Sequence, residues 1–280
     1  MKFKKNKVTI GGRTFFYWEK NSQGAKTMVL LHGFPGNHEG LLGLARGLAQ
    51  YHIIIPDLPG CGASSLLSGK HTLKNYSDWL AGFLESLSIG QAIIIGHSFG
   101  SRLALMFASE HSEKVSQLIL IAPVIKVEGL LARVVSVYYK ITSVLPQYLQ
   151  KIMLSNGFGK KMGDKVIFRP GSARLHAKII QRDIKEIKKI PTRVSIDLFD
   201  EFHTANLAEL GSKIKKESLI IAGDLDQVSP LSAVRELADN FHTGTLKIMK
   251  NCGHLVPLEK PLTTARFIKN WLEGFPNQIP

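Results

Sequence analysis

The sequence predicts an α/β protein built on one large, mostly parallel sheet with helices on both faces. Three observations carry this. Short apolar runs of four to six residues alternate with longer stretches of helical periodicity, the rhythm of β-α-β units. Several of the runs are apolar without interruption, as strands buried on both faces are. Residues with catalytic chemistry fall directly after such runs, where parallel sheets gather their ligands.

The elements follow in order. Val8–Ile10, Gly11-Gly12 and Thr14–Glu19 read as a hairpin, two glycines supplying the positive φ of a tight turn. Thr27–Leu31, His52–Pro56, Ala92–Ile95, Leu118–Ala122, Ser218–Ala222 and Leu246–Met249 supply six further strands, eight in all. Helical patterns occupy residues 39–50, 72–88, 99–110, 230–239 and 261–272. Ser229-Pro230 predicts a helix opening, with the hydroxyl capping and proline at the first helical position. From Ile125 to Glu209 the alternation stops. Leu130, Val134, Tyr138, Ile141 and Leu145 recur at helical spacing, Pro146 interrupts them, and Gly157 and Gly159 follow. The chain thus divides into a core, residues 1–124 and 210–280, and a helical insertion, residues 125–209.

Composition narrows the function. With 280 residues and 44% hydrophobic content, the chain has ample material for a packed core. No apolar run is long enough to span a bilayer, and the basic start Lys2–Lys7 precedes no apolar stretch, so it is not a secretory signal. Cys61 and Cys252 stand far apart and are expected as free thiols. These features predict a cytoplasmic protein. The formal charge is +14, and residues 149–193 hold twelve Lys/Arg against three Asp/Glu. Neither zinc-ligand spacing nor an aromatic-basic signature accompanies that charge, so nucleic acid is not an expected partner. A solvated basic face is the plain reading, and weak association with anionic membrane surfaces is the alternative.

The sharpest chemical signal is Gly96-His97-Ser98-Phe99-Gly100, between the run Ala92–Ile95 and a helical pattern. A strand-to-helix turn of this kind presents the serine hydroxyl at the strand end, and the Phe99 amide opens a helix, where it can stabilise an oxyanion. A serine alone is a weak nucleophile and needs a base and an orienting acid. His254 follows the run Leu246–Met249, and Asp226 follows Ser218–Ala222, giving the order Ser98, Asp226, His254. Asp224 competes for the acid role. A second oxyanion donor is the amide of Phe34, in His32-Gly-Phe-Pro-Gly36 directly after Thr27–Leu31. Asp57, His32 and His97 read as organising or packing residues. His71, His111, His176, His203 and His242 belong to no constellation and are expected at the surface, and no metal site is predicted.

Together these motifs resemble the α/β-hydrolase fold superfamily. The resemblance also rests on Asp57-Leu-Pro-Gly-Cys-Gly-Ala-Ser64, similar to the family's D-x-P-G-x-G-x-S loop. Gly253-His254 with Glu259 and Pro261 is similar to its G-H-x-x-x-x-E-x-P ending. It implies an eight-stranded-type sheet and makes the insertion a helical lid over the active site. It favours Asp226 over Asp224, because the family's acid lies three residues after the strand-ending glycine, here Gly223. Ser98 stands where haloalkane dehalogenases and epoxide hydrolases carry aspartate. Arg102 resembles part of the S-x-G-G-R pattern of a pyruvate-eliminating synthase, but Ser101 replaces the second glycine. The expected activity is a cofactor-independent serine hydrolase acting on a small apolar carboxylic ester, of carboxylesterase or lipase type. Carbon–carbon bond hydrolysis, as in the similar meta-cleavage-product hydrolases, is the enzymatic alternative. A ligand-binding receptor on the same fold is the third reading.

Overall fold

The computed structural model describes residues 2–125, 137–138, 141–142, 144–155, 190–204 and 207–274. Leu130, Val134, Gly157, Gly159, His176 and most of the basic segment lie outside them, as does much of the 125–209 insertion.

Eight strands form one sheet: β1 (Lys4–Ile10), β2 (Arg13–Lys20), β3 (Thr27–Leu31), β4 (His52–Pro56), β5 (Ala92–His97), β6 (Val115–Ile121), β7 (Ser218–Gly223) and β8 (Gly244–Met249). Their order is β1-β2-β4-β3-β5-β6-β7-β8. β1 and β2 are antiparallel and β2 meets β4 antiparallel, while every other pairing is parallel. The hairpin turns between Ile10 and Arg13 through Gly11 and Gly12, at φ of 54° and 74°. Both glycines therefore take the left-handed conformation that a two-residue turn of this twist demands.

Helices α1 (Leu42–Gly47), α2 (Leu73–Ser86) and α3 (Phe99–Glu110) follow β3, β4 and β5. The described part of the insertion contributes α4 (Gln147–Ser155) and α5 (Thr192–Thr204), and then come α6 (Leu231–Asp239), α7 (Val256–Glu259) and α8 (Pro261–Leu272). Strand residues alternate between two apolar layers, as the period of two requires. Val29, Leu31, Ile94, Leu118, Leu120 and Ile220 share one buried cluster with residues of α2, α3 and α6. Met28, Leu30, Ile93, Ile95, Ile119 and Ile221 share the other with residues of α1 and α8. Each central strand is thereby stripped of water on both faces. Among the described residues no helix is long and apolar enough to cross a membrane.

Two expectations need correction. Ser229 does not cap α6. Pro230 holds the cap position without a side-chain hydrogen bond, and the Ser229 hydroxyl instead donates to the Pro123 carbonyl. Ser229 is buried, so its hydroxyl satisfies an interior carbonyl that water cannot reach. His71 is likewise not a surface residue, being 1% exposed. The Tyr76 hydroxyl donates to the Pro59 carbonyl, so its oxygen accepts from His71 Nδ1 at 2.8 Å. The main-chain N–H of His71 donates to Asp197 of α5. Burial pushes its pKa down to about 4. His242 is exposed, as expected.

Candidate active site

The turn after β5 is tight. Ser98 sits at φ 54° and ψ −115°, outside the regions that L-residues favour, a strain of about 1–3 kcal/mol that its surroundings must sustain. They do so by packing backbone on backbone. A Cβ at Gly96 would lie 2.5 Å from Ser101 N, and one at Gly100 would lie 2.6 Å from the Leu31 carbonyl carbon and 2.8 Å from the His32 oxygen. Only glycine lets α3 approach the end of β3 this closely. The Ser98 N–H donates to the Ile121 carbonyl at 2.9 Å, and the Ser101 hydroxyl donates to Gly96 and Ile121 carbonyls. The turn is thus laced to β6.

His254 enters from the loop after β8 and brings three predicted residues into one hydrogen-bonded chain. Its Nε2 lies 2.8 Å from Ser98 Oγ, and its Nδ1 lies 2.9 Å from Asp226 Oδ2. A carboxylate only accepts, so Nδ1 carries the ring proton, leaving the Nε2 lone pair to accept from the serine hydroxyl. The other Asp226 oxygen accepts from the N–H groups of Val228 and Ser229, at 2.8 and 2.9 Å. All three side chains are buried, at 7% exposure or less. Asp224 takes a different partner, the Cys252 N–H at 3.1 Å. The geometry of the chain favours Asp226 as the partner of the histidine.

Phe34 follows β3, which pairs with β5, and its ring meets that of Phe99 edge-on at 6.4 Å. The two residues whose amides were expected as oxyanion donors therefore flank the same serine turn. Phe99 is the first residue of α3, where the helix presents main-chain donors and the positive end of its dipole.

Asp57 holds the adjoining loops together. Its Oδ1 accepts from the His38 main-chain N–H at 3.0 Å and bonds His38 Nδ1 at 2.8 Å, and Oδ2 accepts from Ala63 N–H. Burial raises its pKa, but the His38 hydrogen bond and the nearby imidazoles outweigh that and leave it lowered. His32 Nε2 accepts from the Leu58 N–H, tying the loop after β3 to the loop after β4. Both residues match the organising roles their positions suggested. Cys61 and Cys252 are buried, and burial raises the Cys61 thiol pKa far above its usual range, which keeps it protonated and unreactive.

Two residues carry more than their motifs indicated. His97 Nε2 hydrogen-bonds the His254 carbonyl at 3.1 Å. Arg102 is buried and donates to the carbonyls of Val124, Ile125 and Glu201, at 2.8, 3.1 and 2.9 Å. One guanidinium on the helix that starts beside Ser98 thus binds the chain leaving β6 and the far end of α5. Glu259 accepts from the Gly253 N–H through both carboxylate oxygens, at 3.1 Å each. No local sequence signal exposes the first two, because their acceptors are main-chain carbonyls remote in sequence. The Glu259 contact gives a physical reason for glutamate in the G-H-x-x-x-x-E-x-P pattern.

Comparison with known proteins adds the context of relatives. A family model described as "alpha/beta hydrolase fold" matches residues 26–261. The chain is 28% identical over 280 residues to a monoacylglycerol lipase, abhd6-B, of Xenopus laevis, covering 95% of this chain and 81% of that one. It is 26% identical over 254 residues to the 2-hydroxymuconate semialdehyde hydrolase of Pseudomonas putida, covering 87% and 86%. Among solved structures, the enol-lactonase from Burkholderia xenovorans superposes with a TM-score of 0.81 at 14% identity, covering 96% of this chain and all of that one.

Proposed function

The chain belongs to the alpha/beta hydrolase fold family, and from that premise we propose that it is a serine hydrolase cleaving a small apolar carboxylic ester. The single observation that carries this reading is the unbroken hydrogen-bonded chain Ser98–His254–Asp226. In the proposed mechanism His254 Nε2 takes the Ser98 proton as Oγ attacks the ester carbonyl. Asp226 holds the imidazole in the tautomer that leaves Nε2 free to accept, and stabilises the imidazolium that forms. The amides of Phe34 and Phe99 donate to the tetrahedral oxyanion. His254 then protonates the departing alcohol, and water activated by the same histidine releases the acid from Ser98. No metal or organic cofactor enters these steps.

The 125–209 insertion is proposed as a helical lid that supplies the apolar acyl surface. The side chains of Val137, Ile141, Val144, Tyr148 and Ile152 are exposed there, each three or four residues from the next in sequence. Beside the basic sequence of residues 149–193, they support the proposal that the same segment rests weakly on anionic lipid surfaces. Co-sedimentation with acidic vesicles that disappears at high salt is the expected result, and equal sedimentation with neutral vesicles contradicts it.

A p-nitrophenyl ester series from acetate to palmitate, with wild type beside Ser98→Ala, tests the reaction. The expected result is chain-length-dependent turnover that the substitution abolishes. Persisting turnover in Ser98→Ala contradicts the mechanism. Similarity to the Pseudomonas putida hydrolase keeps carbon–carbon cleavage as the second reading. Loss of ultraviolet absorbance from a dienol substrate, with no turnover of any ester, would favour it.

A further inference from the structure

The loop that carries the base is tied at three successive residues. Cys252 N–H donates to Asp224 at 3.1 Å, Gly253 N–H to Glu259 at 3.1 Å, and the His254 carbonyl accepts from His97 at 3.1 Å. The first two ties are local, from the loop after β7 and the helix that follows the base. The third comes from β5. Between β5 and β8 in the sheet lie β6 and β7, so His97 reaches across the ends of two strands. It is also the residue immediately before Ser98.

A carbonyl can only accept, so His97 Nε2 carries the ring proton. The same ring abuts the loop after β3, where a Cβ on Gly33 would lie 3.2 Å from His97 Nδ1 and 3.1 Å from Ser98 Cβ. One imidazole thus touches the oxyanion-side loop, adjoins the nucleophile and holds the main chain of the base. Burial, with His254 and His32 nearby, pushes its pKa down to about 3 against the opposing pull of the His254 carbonyl and Asp226. The ring stays neutral while His254 gains and loses its proton.

We infer that His97 is a positioning residue whose hydrogen bond to the His254 carbonyl sets the alignment of His254 with Ser98. The role rests on the serine-hydrolase reading and adds to it a fourth side chain. Without the tie, the main chain of a base delivered from a strand three places along the sheet loses its hydrogen bond to the strand that carries the serine, and the imidazole is aligned through Asp226 and the Ser98 hydroxyl.

The test compares His97→Leu, which removes the donor at similar volume, with His97→Gln, whose Nε2–H2 can reach the same carbonyl. Rates are taken per site that a fluorophosphonate labels to completion, so that unfolded protein is not counted. His97→Leu is expected to lower kcat about 10- to 100-fold, the scale of an ångström-level misalignment, with KM within about threefold. His97→Gln is expected to recover most of that loss. The acid limb of the kcat/KM profile is expected to stay in place, because His97 does not titrate in that range. A wild-type kcat per labelled site in His97→Leu, an equal loss in His97→Gln, or a displaced acid limb each overturns the inference. Amide hydrogen exchange over residues 251–255 reads the tie without turnover. It should quicken in His97→Leu and not in His97→Gln, and unchanged exchange overturns the tie. Failure of the wild type to label Ser98 instead sinks the serine-hydrolase reading, and exchange still decides the tie.

Discussion

Gly100→Ala replaces a hydrogen with a methyl group where α3 meets the end of β3 backbone to backbone. The new Cβ would stand 2.6 Å from the Leu31 carbonyl carbon and 2.8 Å from the His32 oxygen, where ordinary contact is 3.4 Å or more. Those atoms belong to the main chain of a central strand end and cannot rotate away, so the start of α3 must withdraw by close to 1 Å. Overpacking of this kind costs about 1–3 kcal/mol, partly offset by the ~1 kcal/mol that alanine gains over glycine in a helix. The larger effect is on alignment. Ser98 and Phe99 precede Gly100 directly, and a shift of about 1 Å at a reacting group lowers turnover on the order of 10²-fold. The assay is thermal melting together with ester turnover per labelled site, with Gly90→Ala as control, since a Cβ there meets nothing within 4 Å. A Gly100→Ala protein that melts like wild type and keeps kcat within threefold would refute the close-approach account of this turn.

The remaining predictions concern the groups around the site. Asp226→Asn presents a side chain that can donate to His254 Nδ1, favouring the wrong tautomer; kcat should fall by about 10³–10⁴-fold with melting little changed, and a loss under tenfold would remove Asp226 from the acid role. Asp57→Ala strands the His38 and Ala63 donors, so it should destabilise by about 3 kcal/mol or more while turnover per labelled site survives; loss of turnover in a stable protein would make Asp57 part of the chemistry. Acid should also unfold the protein earlier than carboxylates alone require. The folded pKa of His97 is pushed to about 3 by burial, below the ordinary value of 6.5, so the unfolded chain takes up a proton that the folded one refuses. That contribution is complete above about pH 6.5 and drains away toward pH 3. His71, pushed to about 4, acts with the same sign. Melting temperature should therefore fall between pH 7 and 4.5, less steeply in His97→Gln, and parallel slopes would contradict the burial account.

The candidate site was legible wherever its residues fall in short adjacent motifs. Gly96–Gly100 names the turn because its two glycines flank the serine within five residues, and Ser98, Asp226 and His254 each follow a short run that reads as a strand. The central strands β3, β5 and β7 were legible because burial on both faces leaves little room for polar residues. The ties were not. Arg102 and His97 bond to carbonyls, and every residue type has one, so nothing in Val124, Ile125, Glu201 or His254 marks it as an acceptor. Ser229 beside Pro230 has the form of a helix cap, and only the depth of its burial against Pro123 redirects its hydroxyl. His71 looked unattached because its partners, Tyr76 and the Asp197 carboxylate, come together only when α5 docks on the loop before α2.

Mass spectrometry of the intact and digested protein after fluorophosphonate treatment tests whether Ser98 is the nucleophile. One adduct is expected, on the peptide containing Ser98, absent from Ser98→Ala and formed far more slowly in His254→Ala. A folded wild-type protein that gains no adduct, or gains it on a residue other than Ser98, would contradict it.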